Sequence, residues 1–166
     1  MHQTSALFGI SHVPGMKPND YCGPAAISCL TGVSCEFAAW HIKAGRGTNR
    51  GVASVCVSEL VDLLRGLDCK VDEIEEAQGI TLAKFDKDIV SGVKDAVLIY
   101  LTDHFIVCDP YDRTYYDNHV HGPQWIDEFP SPRRKIKHAY SVQRAFNLST
   151  LHEMEKAWIR DPEELY

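Results

Sequence analysis

The stretch Asn19–Gly32, with the sequence NDYCGPAAISCLTG, specifies the element around which the fold is organised. Pro24 would lie in the first turn of a helix, where its missing backbone N–H costs nothing. The apolar residues that follow cover more than one stripe of that helix, which is typical of a central, buried helix. Gly32 can end it, because glycine readily adopts the left-handed conformation found after helix C-termini. The sequence therefore predicts a buried helix that begins at about Cys22.

The flanking sequence changes from helical to strand periodicity near the middle of the chain. The predicted elements are helices at Cys35–Lys43 and Ser54–Arg65, a strand at Cys69–Ile74, a short helix at Thr81–Val90, strands at Ala96–Leu101, His104–Cys108, Thr114–Asp117 and Lys135–Val142, and a last helix at Leu151–Arg160. Gly45–Gly51 carries three glycines among polar residues, lacks a phosphate-binding motif and predicts an exposed loop. Helices followed by antiparallel strands predict one α+β domain over residues 1–166, in which a helical half packs on a small antiparallel sheet. The chemical motifs lie within about residues 13–121, and residues 122–166 form a C-terminal extension with no assigned role.

The composition is that of an ordinary globular protein and excludes several classes of function. Hydrophobic residues make up 45% and charged residues 24% of the 166 residues, which is enough apolar sequence for a packed core. The net charge of −6, from 17 basic and 23 acidic residues, argues against a nucleic-acid partner because phosphates would be repelled. The longest apolar run, Ala96–Leu101, is far shorter than the ~20 residues of a membrane span. We therefore expect neither a nucleic-acid nor a membrane partner.

The cysteines predict free thiols rather than a disulfide framework. The sequence at Met1–Ser11 has no secretory signal, so we expect a reducing, cytoplasmic location. No C-x-x-C pair is present, which argues against structural zinc. Cys29, Cys56 and Cys108 stand in apolar-patterned segments and are expected to act as small hydrophobic residues. Cys22 has a different setting.

Cys22 stands at the first residue of the predicted central helix. The helix dipole and the unpaired N–H groups of the first turn favour a thiolate there. Gly23 would let a substrate backbone approach closely. Asn19 could direct its amide N–H at a developing oxyanion, together with the backbone N–H of Cys22. These residues indicate a nucleophile, which needs a base from elsewhere in the chain.

His104 is the best candidate for that base. It opens a β-run whose next residues are apolar, so its imidazole would be held on a rigid strand. Asp117 and Asn118 end the returning strand, and either could accept the imidazole N–H and fix its tautomer. Asp109 could replace Asp117 as the partner of His104 if the two strands paired in a different register. Since it lies only five residues beyond His104, we expect Asp109 in the turn between the strands. Successive strand residues point to opposite faces, so at most one of Asp117 and Asn118 can share the face of His104. We favour Asp117, because a carboxylate both fixes the tautomer and stabilises the imidazolium.

Cys-Gly-Pro-Ala at residues 22–25, His-Phe-Ile-Val at 104–107 and Tyr-Asp-Asn at 116–118 resemble the motifs of papain-like cysteine peptidases of the bacteriocin-processing type. Small phage and bacterial proteins share the helix start and its Thr-Gly end. The resemblance implies a papain-like fold with Cys22 as nucleophile, His104 as general base and Asp117 or Asn118 as the orienting residue. It implies no cofactor, a protein or peptide substrate, and a location in the host cytoplasm or, for a phage protein, in the virion.

The oxyanion hole departs from the pattern of this family. The family often has glutamine six residues before the cysteine, where this chain has Met16. Asn19 or Asp20 would have to take over its role. The glycine that often precedes the histidine is also replaced, by Asp103.

The sequence leaves a metal site and other uses of the fold as alternatives. His119 and His121 would lie on one face of an extended segment, and Asp117 or Asp127 could add a carboxylate ligand. This pair lacks a third ligand at diagnostic spacing, so we assign no metal and interpret the segment as a loop at the rim of the site. We expect hydrolysis of a peptide or isopeptide bond through a thioester. Acyl transfer by the same triad, as in transglutaminases, and a non-catalytic binding or virion protein are the alternatives.

Overall fold

The computed structural model describes residues 7–8, 20–47, 53–120, 122–144 and 148–160. Within these residues the chain forms five α-helices and a six-stranded antiparallel sheet, which confirms the predicted α+β class. The elements are α1 (Cys22–Thr31), α2 (Cys35–Arg46), α3 (Val57–Gly66), β1 (Cys69–Glu73), α4 (Leu82–Asp88), β2 (Ala96–Leu101), β3 (His104–Asp109), β4 (Thr114–Tyr116), β5 (Gln124–Trp125), β6 (His138–Arg144) and α5 (Leu148–Arg160). Short 3₁₀ turns at Glu75–Ala77 and Val90–Gly92 flank α4.

The strand order is β1-β6-β2-β3-β4-β5, so the last strand in sequence lies inside the sheet. Val142 of β6 pairs with Val71 of β1 on one side and with Ala96 of β2 on the other. β6 begins at His138 rather than at Lys135, where the sequence pattern placed it. The C-terminal segment, which had no assigned role, thus completes the sheet.

β2 and β3 are buried on both faces, which explains their nearly continuous apolar sequences. Leu98 and Val107 belong to a core cluster shared with α1, α2 and α3. Val97 and Ile106 belong to a second cluster, with Phe85 of α4. The predicted packing of a helical half on a sheet therefore describes one face, while α4 and its neighbouring turns cover the other.

α1 is almost entirely buried and ends as the sequence predicts. Gly32 follows it with φ of 81°, a left-handed conformation that favours glycine. A Cβ atom at this position would lie 2.8 Å from the ring of Phe8, so the site also requires the absence of a side chain. These two constraints fix the point at which the chain leaves α1.

α5 is anchored over the start of α2. The side chain of Glu155 accepts the backbone N–H of Ser34 at 2.9 Å. The Trp158 ring packs against Phe37 and Trp40, with ring centroids 5.6 and 5.8 Å away. The C-terminal helix is therefore part of the same core as α1 and α2.

The start of α3 corrects the prediction for Cys56. The helix begins at Val57 rather than at Ser54, and Cys56 is its exposed N-cap instead of a buried hydrophobic residue. The backbone N–H of Cys56 donates to the Glu59 carboxylate at 2.7 Å, which also pairs with Arg46 at 2.5 Å. A cap with polar partners is thus more favourable here than burial. All six cysteines are free thiols.

α2 extends beyond its predicted end. It runs to Arg46 and Gly47 caps it with φ of 58°, so the first part of the predicted Gly45–Gly51 loop is helical. Residues 48–51 of that loop lie outside the described residues. Among the described helices, no single one is long and apolar enough to cross a membrane; α1 and α2 meet the criterion only as a pair bent by 119°.

A buried polar cluster joins α4 to the β3–β4 turn. Asp86 is buried, and its Oδ1 accepts the Tyr115 hydroxyl at 3.0 Å. Its Oδ2 and its backbone carbonyl accept N–H groups of the Arg113 guanidinium. The backbone of Arg113 has φ of 54°, in the left-handed region. The Asp86 carboxylate therefore ties the strained β3–β4 turn to α4.

We expect Asp86→Ala to lower the free energy of unfolding by about 2–3 kcal/mol, because the buried Tyr115 hydroxyl loses its partner. Chemical denaturation monitored by circular dichroism measures the change. Asp88→Ala removes an exposed carboxylate from the same helix and should change the stability by less than about 0.5 kcal/mol. Equal effects of the two substitutions would contradict a specific role for Asp86.

Candidate active site

A cavity with a volume of about 760 Å³ lies where α1 and β3 both begin. Cys22, His104, Asp117 and His119 line it. α1 packs on β3 in the same core cluster as Phe105 and Val107, which brings the first residue of the helix to the first residue of the strand. The packing of two buried elements thus positions the side chains that the sequence singled out.

His104 and Asp117 form a buried pair. Nε2 of the imidazole lies 2.8 Å from Oδ1 of the carboxylate. The register of β3 and β4 pairs Val107 with Tyr116; its continuation places Asp117 opposite Ile106, two residues from His104 on the same face. Diagonal neighbours on one face can touch, which accounts for the contact.

The two other candidates for the His104 contact have different environments. Asn118 is buried but does not line the cavity. The side chain of Asp109 accepts the backbone N–H of Tyr111 at 2.9 Å, so it stabilises the β3–β4 turn instead. Of the three residues, the structure brings Asp117 to the imidazole.

Cys22 is half-buried at the start of α1 and lies beside the His104 ring. Nε2 of His104 is engaged by Asp117. Nδ1 is buried and has no hydrogen-bond partner of regular geometry among the described residues, so it is the nitrogen left to face the thiol. Such contacts commonly tighten when substrate binds. The backbone N–H groups of Cys22 and Gly23 have no partner within the helix, because the first four of any α-helix lack one.

Asn19, the predicted side-chain donor of the oxyanion hole, lies outside the described residues. Its alternative, Asp20, lines the cavity next to Cys22. A carboxylate repels an oxyanion, so Asp20 suits the role poorly in its ionised form. Within the described residues, the start of α1 therefore offers backbone donors at the thiol.

The electrostatics of the pair favour an imidazolium at His104. Burial lowers the pKa of His104, but its hydrogen bonds with Asp117 and Cys22 and the charges of these two groups outweigh burial and raise the pKa to about 9. Burial raises the pKa of Asp117, while the hydrogen bond and charge of His104 and the backbone N–H of His119 lower it, with a net decrease. A protonated ring is therefore held between a carboxylate and a thiol near neutral pH.

His119 also contacts this pair, although its sequence pattern predicts only a loop at the rim of the site. Its exposed ring meets the His104 ring edge-on, with centroids 4.7 Å apart. Its backbone N–H donates to Oδ1 of Asp117 at 2.9 Å. His121 lies outside the described residues, and Asp127 does not line the cavity.

The opposite walls of the cavity were not foreseen. Val55 and Cys56 come from the segment before α3, and Ser131 and Arg134 from the segment before β6. The Arg134 guanidinium donates to the backbone carbonyl of Thr102 at 2.5 Å, which ties this segment to the β2–β3 turn. No motif signals these residues, because only the tertiary fold brings them to the thiol.

We expect Asp117→Asn to lower the pKa of His104, since burial then acts without the opposing carboxylate. NMR titration of the histidine Cε1–H signals from pH 5 to pH 10 measures it. Asp103→Asn is the matched control, because it removes an exposed charge next to His104 in sequence. If the pKa of His104 falls equally in both variants, the nearby negative charges as a whole set that pKa, and the hydrogen bond with Asp117 does not.

Comparison with family models, curated proteins and solved structures found no match. The function must therefore be inferred from the side chains of this cavity.

Proposed function

We propose that the protein is a cysteine hydrolase of papain-like type that cleaves a peptide or isopeptide bond in a protein or peptide substrate. The observation that carries the proposal is the buried His104–Asp117 pair, with 2.8 Å between Nε2 and Oδ1, in the cavity that Cys22 also lines. A thiol at a helix start, an imidazole beside it and a carboxylate behind the imidazole are the parts of a nucleophilic triad.

Catalysis would begin with Cys22 as thiolate and His104 as imidazolium. The thiolate attacks the substrate carbonyl carbon, and the backbone N–H of Cys22 stabilises the oxyanion. His104 gives its proton to the leaving amine, which breaks the C–N bond and leaves a thioester. Water, deprotonated by His104, then attacks the thioester, and the C–S bond breaks to release the acid and the Cys22 thiolate, which restores the thiolate–imidazolium pair. Asp117 holds the ring throughout and stabilises its positive charge whenever the ring is protonated.

The arrangement of elements supports a papain-like site. A buried helix carries the cysteine at its first residue and packs on an antiparallel sheet. The histidine opens one strand of that sheet, and the carboxylate follows the next strand. This order supports the proposal, because the resemblance of the motifs implies the same placement of nucleophile, base and orienting residue.

The cavity suits an extended polypeptide better than a small polar ligand. Tyr100 and Phe105 give it apolar surface near His104, and Ser54, Ser131 and Thr102 add polar groups around it. Backbone and side-chain groups of a peptide need both kinds of contact. Transfer of the acyl group to an amine would use the same triad, and product analysis with and without an added primary amine separates the two reactions.

We expect Cys22→Ala to abolish hydrolysis while the protein stays folded, because alanine fits a half-buried helix start and provides no nucleophile. Amine release from a peptide library measures activity, and thermal melting checks the fold. Substantial residual turnover would remove Cys22 from the mechanism.

The thiol itself can be tested without a known substrate. We expect iodoacetamide to alkylate Cys22 at pH 6 at least ten times faster than Cys56, because only the former has an imidazolium beside it. Cys56 is the more exposed of the two, so accessibility alone predicts the opposite order. Peptide mapping by mass spectrometry gives both rates, and His104→Ala should abolish the difference.

We expect Asp117→Ala to lower kcat/KM by one to a few orders of magnitude, at ~1.4 kcal/mol for each tenfold. The alkaline limb of the wild-type pH profile should lie near pH 9, where the imidazolium deprotonates, and should move to lower pH in this variant. Asn118→Ala should cost much less and leave the profile unchanged. The measurement is kcat/KM of both variants between pH 5 and 10. A larger loss of kcat/KM in Asn118→Ala than in Asp117→Ala would assign the orienting role to Asn118.

A further inference from the structure

His119 adds a third donor beside the buried His104–Asp117 pair. One ligand atom from each of His104, Asp117 and His119 lies within 4.8 Å of the other two. The backbone of His119 is fixed by its N–H donation to Asp117, while its ring is exposed at the cavity rim and meets the His104 ring edge-on. Three metal-binding side chains of different burial therefore converge on one point.

The donor set matches zinc better than the common hard cations. Two imidazole nitrogens and one carboxylate oxygen, with a fourth position open to water, form a typical zinc coordination shell. Calcium and magnesium need about six or more oxygen ligands, and this cluster supplies a single carboxylate. The chemistry of the donors thus selects a borderline-soft divalent ion.

The distances require only a small adjustment. Zinc bonds of about 2.0–2.2 Å in a tetrahedron separate the donor atoms by roughly 3.3–3.5 Å. The hydrogen bond between His104 and Asp117 would open slightly from 2.8 Å, and the third donor would move inward by about 1.5 Å at most. Rotation of the exposed His119 ring can supply that movement.

We propose that His104, Asp117 and His119 bind Zn²⁺ and that the bound ion inhibits the hydrolase reversibly. The ion would bond to Nε2 of His104 in place of its proton, which passes to solvent, and to a carboxylate oxygen of Asp117. A ring bound through Nε2 cannot also be the imidazolium partner of Cys22. Binding of the ion is independent of the proposed function, whereas the inhibition rests on it.

Isothermal titration calorimetry with ZnCl₂ tests the binding on variants of the full chain that carry Cys22→Ala, which removes the thiol as a competing ligand. We expect one zinc per chain for Cys22→Ala alone and at least tenfold weaker binding when His119→Ala is added. His152→Ala, in place of His119→Ala, removes an exposed histidine of α5 and should leave the affinity unchanged. MgCl₂ should give no binding. Equal zinc affinity in all three variants would overturn the site.

The inhibition is tested on enzyme that retains Cys22. With each enzyme referred to its own zinc-free rate, we expect the His119→Ala enzyme to need at least ten times more zinc for half-inhibition than the wild type. A chelator should restore the zinc-free rate of the wild type. Equal zinc sensitivity of both enzymes would overturn inhibition through this cluster. If the wild-type chain shows no hydrolysis, the proposed function fails, and the calorimetry still decides the zinc site.

Discussion

The packing of α1 against β3 is the constraint on which the rest of the site depends. Ala26 and Ile27 of the helix share a core cluster with Phe105 and Val107 of the strand, all of them nearly inaccessible to solvent. Close-packed interiors resist displacement, so the helix start and the strand start are fixed relative to each other. Cys22 stands at the first of these points, and the thiol–imidazole contact follows from core packing rather than from a local loop.

The polar part of the site is stable because each group compensates for the burial of another. Burial alone disfavours both the imidazolium of His104 and the carboxylate of Asp117. Their contact, with the N–H of His119 on the same carboxylate, reverses that preference for both groups. Removal of either side chain would leave the other buried without its opposite charge, so the pair is interdependent in stability as well as in chemistry.

Local sequence predicted the elements whose signals are local. The helix at Cys22 and the β2–β3 hairpin were foreseen because proline, glycine and apolar periodicity act within a few residues. Strand alternation allowed only one of Asp117 and Asn118 to share the face of His104, and the chemistry of a carboxylate favoured Asp117, which the structure has at 2.8 Å from the ring. The position of β6 between β1 and β2 could not be foreseen, since a strand's partner depends on contacts far away in sequence. Cys56 was misplaced for a related reason, because its neighbours look apolar while its backbone caps α3.

The two nitrogens of His104 give the site two separate points of control. Nε2 meets Asp117 and the exposed ring of His119 lies nearby, whereas Nδ1 is left for the thiol of Cys22. A ligand that bonds to Nε2 removes the imidazolium that is the partner of the Cys22 thiolate, and it leaves the sulfur uncovered. A ligand that bonds to the sulfur leaves the His104–Asp117 pair intact. Loss of activity by the first route should therefore reverse when the ligand is removed, while loss by alkylation should not, because only the second makes a covalent bond to the nucleophile.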